Sequence, residues 1–186
     1  MRRVMIVGQP GSGKSWLARR LGQITGLPVH HMDQIHYMPG WIERPMSEKI
    51  RMATEIENGD AWIFEGGLSR TYAHRIDRCD TLILLDLPFA KRFARVLWRT
   101  VVRYGRTRPD MAPDCPESFN FQFLKWMWRT RKLHRATLGT WIKKADHEVD
   151  VVVLRSKGEV ARYLDGLQAP KPVRQRIRKR DAVPNT

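Results

Sequence analysis

A chain of 186 residues with 42% hydrophobic residues is long enough for one well-formed core and short for two domains of ordinary size. Its formal net charge of +15 favours phosphate-bearing partners, whether nucleotide, nucleic acid or acidic lipid, without choosing among them. The cysteines, Cys79 and Cys115, stand in no C-x-x-C spacing and exclude a disulfide scaffold and a zinc finger, and no apolar run has the length of a signal-peptide core or a membrane span. The expectation is a cytoplasmic protein with no membrane partner.

Residues 4–7, Val-Met-Ile-Val, form a short apolar run closed by glycine, as in a strand buried on both faces of a parallel sheet. The pattern G-x-x-x-x-G-K-[ST] follows at once and is complete: Gly8, Gln9, Pro10, Gly11, Ser12, Gly13, Lys14, Ser15. Such a loop turns backbone N–H groups toward phosphates, and the helix that follows adds the favourable end of its dipole. Lys14 is assigned to the β/γ-phosphates and Ser15 to Mg²⁺. Together with Trp16, these residues predict binding of ATP, with GTP also possible.

Apolar Trp16, Leu17 and Leu21 predict a helix over 14–25, ended by Gly22 and Gly26. Short apolar runs predict further strands at 28–31, 61–64, 81–85 and 151–154, and helical patterns fall at 46–58, 70–77, 88–103, 118–145 and 157–167. The alternation predicts an α/β fold, a P-loop NTPase three-layer arrangement with a parallel sheet of about five strands. Two stretches interrupt it. One is 33–46, rich in His, Met, Trp and Pro, which with the next helix makes an acceptor-side insertion over 33–60. The other is 104–117, where Gly105, Pro109, Pro113 and Pro116 prevent either flanking helix from continuing; it is expected to be a mobile, arginine-rich lid. The domain is expected to end near residue 168, leaving a basic, flexible tail at 169–186. That tail is either solvated or a contact for nucleic acid.

Beyond the P-loop, the segments Leu27-Pro28-Val29-His30-His31-Met32-Asp33, Pro39-Gly40-Trp41, Glu65-Gly66-Gly67-Leu68-Ser69-Arg70-Thr71, Leu84-Leu85-Asp86-Leu87-Pro88 and Arg103-Tyr104-Gly105-Arg106-Thr107-Arg108-Pro109 occur in order. On these the chain resembles the adenylate-kinase-like P-loop small-molecule kinases over residues 1–168. Within that group it is most similar to the bacterial topology-modulation (FlaR-type) or adenylate-kinase-related proteins.

Asp33 follows the second strand, so it should leave the carboxyl edge of the sheet beside the P-loop, where ligands of such folds bind. A carboxylate there can take a proton from an attacking hydroxyl or hold Mg²⁺ through water; the plainer reading is a cap or loop ion pair. His30, His31 and His36 nearby lack the partner spacing of a metal site. The resemblance implies that Glu65 orders Mg²⁺-bound water and that Arg70 grips the acceptor. Gly66 and Gly67 allow close approach of a ligand. Trp41 and Arg44 are the candidates for stacking on, and pairing with, the acceptor. Asp86 invites a Walker-B reading, but similar kinases use that position for structure.

Arg92, Arg95, Arg99 and Arg103 share one face of helix 88–103, where like charges repel unless a polyphosphate relieves them. Arg99 is assigned to the nucleotide, and Arg103 and Arg108 to catalysis as part of the lid; Arg129, Arg131 and Arg135 are placed to face it from the next helix. The same arginines, interleaved with Trp98, Tyr104, Trp126 and Trp128, also suit a nucleic-acid surface. Two functions therefore stand: a phosphotransferase acting on a small acceptor, nucleotide or nucleoside, and a nucleotide-binding regulator that contacts DNA.

Overall fold

The first strand divides the protein into two cores. In β1 (Arg3–Gly8) successive side chains point to opposite faces, so Val4 and Ile6 enter one apolar cluster while Met5 and Val7 enter another. The computed structural model describes residues 1–144 and 149–168. The basic tail expected at 169–186 lies outside the described residues.

From β1 the chain passes through α1 (Lys14–Thr25), β2 (Val29–His31), the single-turn α2 (Met32–His36) and a small antiparallel hairpin, β3 (Tyr37–Met38) and β4 (Ile42–Glu43). Next come α3 (Met46–Glu57), β5 (Trp62–Glu65), α4 (Tyr72–Arg78), β6 (Thr81–Leu85), α5 (Phe89–Val102), α6 (Phe121–Lys144), β7 (Asp150–Leu154) and α7 (Lys157–Gln168). The five-stranded sheet has the order β2-β5-β1-β6-β7, with every pairing parallel. The predicted strands are thus all present.

Alternation continues across the sheet. Trp62, Phe64, Leu82 and Leu84 join Met5 and Val7 under α3 and α4; Ile63, Ile83 and Leu85 join Val4 and Ile6 under α1 and α7. Leu17 and Leu21 of α1 are fully buried in that second cluster, each worth about 1.5–3 kcal/mol of transfer free energy. α1 stops where the glycines predicted, at Gly26, whose left-handed φ of 73° lets its N–H bond the Gly22 carbonyl.

The starts of α4 and α6 differ from the sequence expectation by more than one residue. α4 begins at Tyr72, because Ser69–Thr71 close first into a 3₁₀ turn. α6 begins at Phe121, because Asn120 caps it: the Asn120 side-chain oxygen accepts the Phe123 N–H at 2.8 Å. Among the described residues no helix is long and apolar enough to cross a membrane.

β1 lies between β5 and β6. The chain winds to one side of β1 first and to the other after β5, so the loops leaving β1, β2 and β5 border a crevice at the carboxyl edge of the sheet. Register fixes what stands there. Glu65 pairs with Ile6 on one side and with His31 on the other.

Candidate functional site

The loop between β1 and α1 is held in shape from outside. Arg92 Nη1 donates to the Pro10 carbonyl at 3.0 Å, Arg95 Nη1 to the Ser12 carbonyl at 2.9 Å, and Gln9 Nε2 to the Arg131 carbonyl at 2.8 Å. The Pro10 and Ser12 carbonyls, which would repel phosphate, are thereby engaged by α5, leaving backbone N–H groups as the loop's offering to an anion. Gly11 has φ 76°, and a Cβ there would come within 2.4 Å of the Arg92 carbonyl oxygen. Gly13, with φ 100°, caps α1, so Lys14 and Ser15 open the helix.

Gly8, Pro10, Gly11, Gly13, Lys14, Ser15 and Trp16 line one end of a cavity of about 1220 Å³. Gln9 and Ser12 are buried behind it. The four-arginine face of α5 is therefore not a bare repulsive surface: Arg92 and Arg95 serve P-loop carbonyls, Arg99 pairs with Glu117, and Arg103 remains exposed at the cavity. Arg131 does not face the cavity either; its guanidinium stacks on Trp128 at 4.1 Å. The Arg135 side chain lies outside the described residues.

The opposite end is built on β2, β5 and the hairpin. Asp33, in the first turn of α2, faces the cavity with Glu65, Gly66, Gly67 and Trp41. Its carboxylate is open to the cleft but walled in by protein. Burial, followed by the charge of Glu65, pushes its pKa above the ordinary carboxylate value, against the opposing pull of Lys14 and Arg108. Arg108 Nη2 lies 3.8 Å from Asp33 Oδ2. Glu65 is itself fixed by the imidazole of His31, 2.8 Å from Oε1.

Segment 104–117 is docked on this end. Gln34 Nε2 donates to the Pro109 carbonyl, Gly40 N to the Asp114 carbonyl, and Trp41 Nε1 to the Pro116 carbonyl. Met111, Ala112 and Cys115 form a small buried cluster against Tyr37. Asp110 is buried and meets Arg19 at 2.9 Å, Arg108 at 2.6 Å and the Ser15 hydroxyl. Glu117 pairs with both Arg99 and Arg108.

Two sequence-predicted acceptor residues stand elsewhere. Arg44 is spent on the Ile35 carbonyl and on Glu48, and Arg70 is exposed on the 3₁₀ turn; neither lines the cavity. Tyr37, Tyr72, Arg19, Asp110 and Glu117 do line it and were not anticipated. Of these, only Arg19 had a readable signal, lying one helical turn after Ser15. Asp86 does not line the cavity.

Comparison with known proteins agrees with this fold. A shikimate kinase from Bacteroides thetaiotaomicron superposes with a TM-score of 0.55 at 12% identity, covering 90% of this chain and 96% of that one. A shikimate kinase from Acinetobacter baumannii in complex with shikimate gives 0.51 at 15% identity, with 90% of each chain covered. A deoxyadenosine kinase from M. mycoides with bound dATP gives 0.51 at 12% identity, covering 91% of this chain and 100% of that one. The fold is that of the P-loop kinases. No family model matches the chain, and no curated protein sequence matches it.

Proposed function

We propose that the protein is an ATP-dependent phosphotransferase that moves the γ-phosphoryl group to a hydroxyl of a small acceptor, with Mg²⁺. The observation that carries this reading is the placement of Asp33 in the same cavity as the P-loop, with its proton affinity raised. A bare nucleotide-binding site has no use for a carboxylate poised to take a proton. A transfer site does.

The residues present fit Mg²⁺ and a nucleoside triphosphate. Lys14 lines the cavity with no salt bridge among the described residues, and Ser15 and Glu65 offer the oxygen donors this hard cation prefers. Mg²⁺, when bound, neutralises charge on the transferred group.

In the proposed step the acceptor oxygen forms a bond to the γ-phosphorus, and the bond from that phosphorus to the β,γ-bridging oxygen breaks. The electron pair leaves with ADP. Asp33 accepts the hydroxyl proton. Lys14 and Arg103 stabilise the phosphoryl oxygens; Arg99 and Arg108, which the sequence assigned to the nucleotide and to catalysis, are held by Glu117 and Asp110. The segment 104–117 serves as the lid that excludes water. The ordered motifs shared with adenylate-kinase-like proteins support the same reading.

The test is ADP release by the full chain from Mg·ATP, and from Mg·GTP in parallel, across a panel of nucleosides, nucleotides and sugar-like alcohols. Acceptor-dependent release above the hydrolysis background is expected. If no acceptor raises it, the transfer reading fails.

A further inference from the structure

Two acceptor classes, nucleotides and nucleosides, suit the proposed transfer, and they differ by one phosphate. A second phosphate in the cavity needs a cation to meet it, because an uncompensated dianion beside carboxylates loses its hydration and gains repulsion. The pairing of the basic side chains therefore discriminates between the classes.

Near Asp33 three arginines are already engaged by two carboxylates. Arg108 is shared between Asp110 and Glu117, Arg99 is held by Glu117, and Arg19 by Asp110. Lys49, fully buried under the hairpin, is spent on Glu43 and His36. Burial and the charge of Lys49 both lower the pKa of His36, which keeps its ring neutral. Arg75 is sealed behind Gly66 on Glu57 and the Gly66 carbonyl.

Among the described residues lining the cavity, the cations without a salt bridge are Lys14, Arg95 and Arg103. Lys14 opens α1 beside the loop, Arg95 meets the Ser12 carbonyl, and Arg103, the C-cap of α5, is the cation that the proposed transfer gives to the donor's phosphoryl group.

The acceptor wall is of different chemistry. It presents the carboxylates of Asp33 and Glu65, the phenols of Tyr37 and Tyr72, and the indole of Trp41. Trp41 is 41% exposed, yet it is firmly placed. Its backbone N–H bonds the Cys115 sulfur, its indole N–H bonds the Pro116 carbonyl, and its ring packs edge-to-face on Tyr37 with centroids 5.2 Å apart. An indole held by polar bonds and left open to a cavity is a stacking platform for a planar ring.

Building on the phosphotransferase reading, we infer that the acceptor is an uncharged, hydroxyl-bearing compound with a planar ring, of nucleoside type, and that its monophosphate is rejected. The ring lies against Trp41 and Tyr37, and the hydroxyl meets Asp33. Asp110 and Glu117 enforce the rejection by occupying the arginines that a monophosphate would need.

The experiment is titration calorimetry of the full chain, saturated with Mg²⁺ and a non-hydrolysable ATP analogue so that the donor site is filled. Adenosine, guanosine, cytidine and thymidine are each compared with their 5′-monophosphates. At least one nucleoside is expected to bind at least about tenfold tighter than its monophosphate, as like-charge juxtaposition requires. Glu117→Gln, which uncovers Arg99 and Arg108, is expected to narrow that ratio. A monophosphate that binds as tightly as its nucleoside, a complete lack of nucleoside binding, or a ratio unmoved by Glu117→Gln overturns the inference. A nucleoside that binds as expected but releases no ADP from Mg·ATP overturns the transferase reading instead and leaves the ligand class standing.

Discussion

Asp110 Oδ1 lies 2.9 Å from Arg19 Nη1, joining the segment after α5 to the first helix across 91 residues of chain. The same carboxylate takes Arg108 on its other oxygen and the Ser15 hydroxyl. Burial opposes its ionisation, but Arg108, Ser15 and Arg19 together outweigh burial and hold its pKa below the ordinary value. A carboxylate whose pKa is depressed on folding contributes stability above its unfolded pKa and loses it as pH falls through the folded one. The wild type is therefore expected to lose this contribution below about pH 4. Asp110→Asn should cost about 2 kcal/mol at pH 7 and should show less of that acid-dependent loss. Urea denaturation at pH 7 and at acid pH measures both; equal acid sensitivity of the two proteins would count against the assignment.

Gly11→Ala tests the cradle. The new methyl would stand 2.4 Å from the Arg92 carbonyl, on a residue with φ 76°. Strain of about 1–3 kcal/mol is expected, together with loss of nucleotide binding, because the loop cannot move without breaking the Arg92 and Arg95 bonds to its carbonyls. Thermal denaturation with and without Mg·ATP separates the effects. A variant that ATP still stabilises as it does the wild type would refute the close approach.

These two positions also show what a sequence discloses. Gly11 was legible because strand, glycine loop and helix are adjacent in the chain, and their pattern is local. The strands were legible because full burial on two faces demands continuous apolar runs such as Thr81–Leu85. Asp110 was not legible, since its meaning comes from Arg19 and Ser15, far away in sequence. Glu117, lying after three prolines, looked like loop polarity but is 6% exposed and pairs with Arg99 and Arg108. Arg44 and Arg70 differ the other way: chemistry suited them to an acceptor, but Arg44 is drawn to the Ile35 carbonyl and Glu48, and Arg70 stands on the 3₁₀ turn.

Arg70 supplies a control from that contrast. It is exposed and lines no part of the cavity, so Arg70→Ala should leave acceptor-dependent ADP release within about twofold of wild type, as for a surface substitution remote from special features. Lys14→Ala should lower kcat by about 10²–10³, the scale for removing one preorganised charge at a transfer site. Steady-state rates of the two variants under one acceptor concentration make the comparison. A large loss on Arg70→Ala would return that side chain to the site through a motion of the 3₁₀ turn.

Asp33 carries the final prediction, because its pKa shift has opposite consequences for stability and for rate. Its carboxyl is raised by burial and then by Glu65, which is fixed in place by His31. A raised folded pKa means that the folded protein binds its proton more readily than the unfolded chain, so ionised Asp33 opposes folding above the folded pKa, and the penalty fades as pH falls through it. Asp33→Asn should consequently raise the melting temperature at neutral pH. As general base, however, Asp33 must be ionised, so kcat/KM should fall on the acid side with an apparent pKa above the ordinary carboxylate value. Asp33→Asn should abolish that limb and lower kcat by about 10²–10⁴. Glu65→Gln removes the neighbouring charge and should move the wild-type limb to lower pH. An acid limb that persists unchanged in Asp33→Asn would assign the proton to another group, and a limb that stays in place in Glu65→Gln would leave burial, with the weaker push of Asp110, as the cause of the shift.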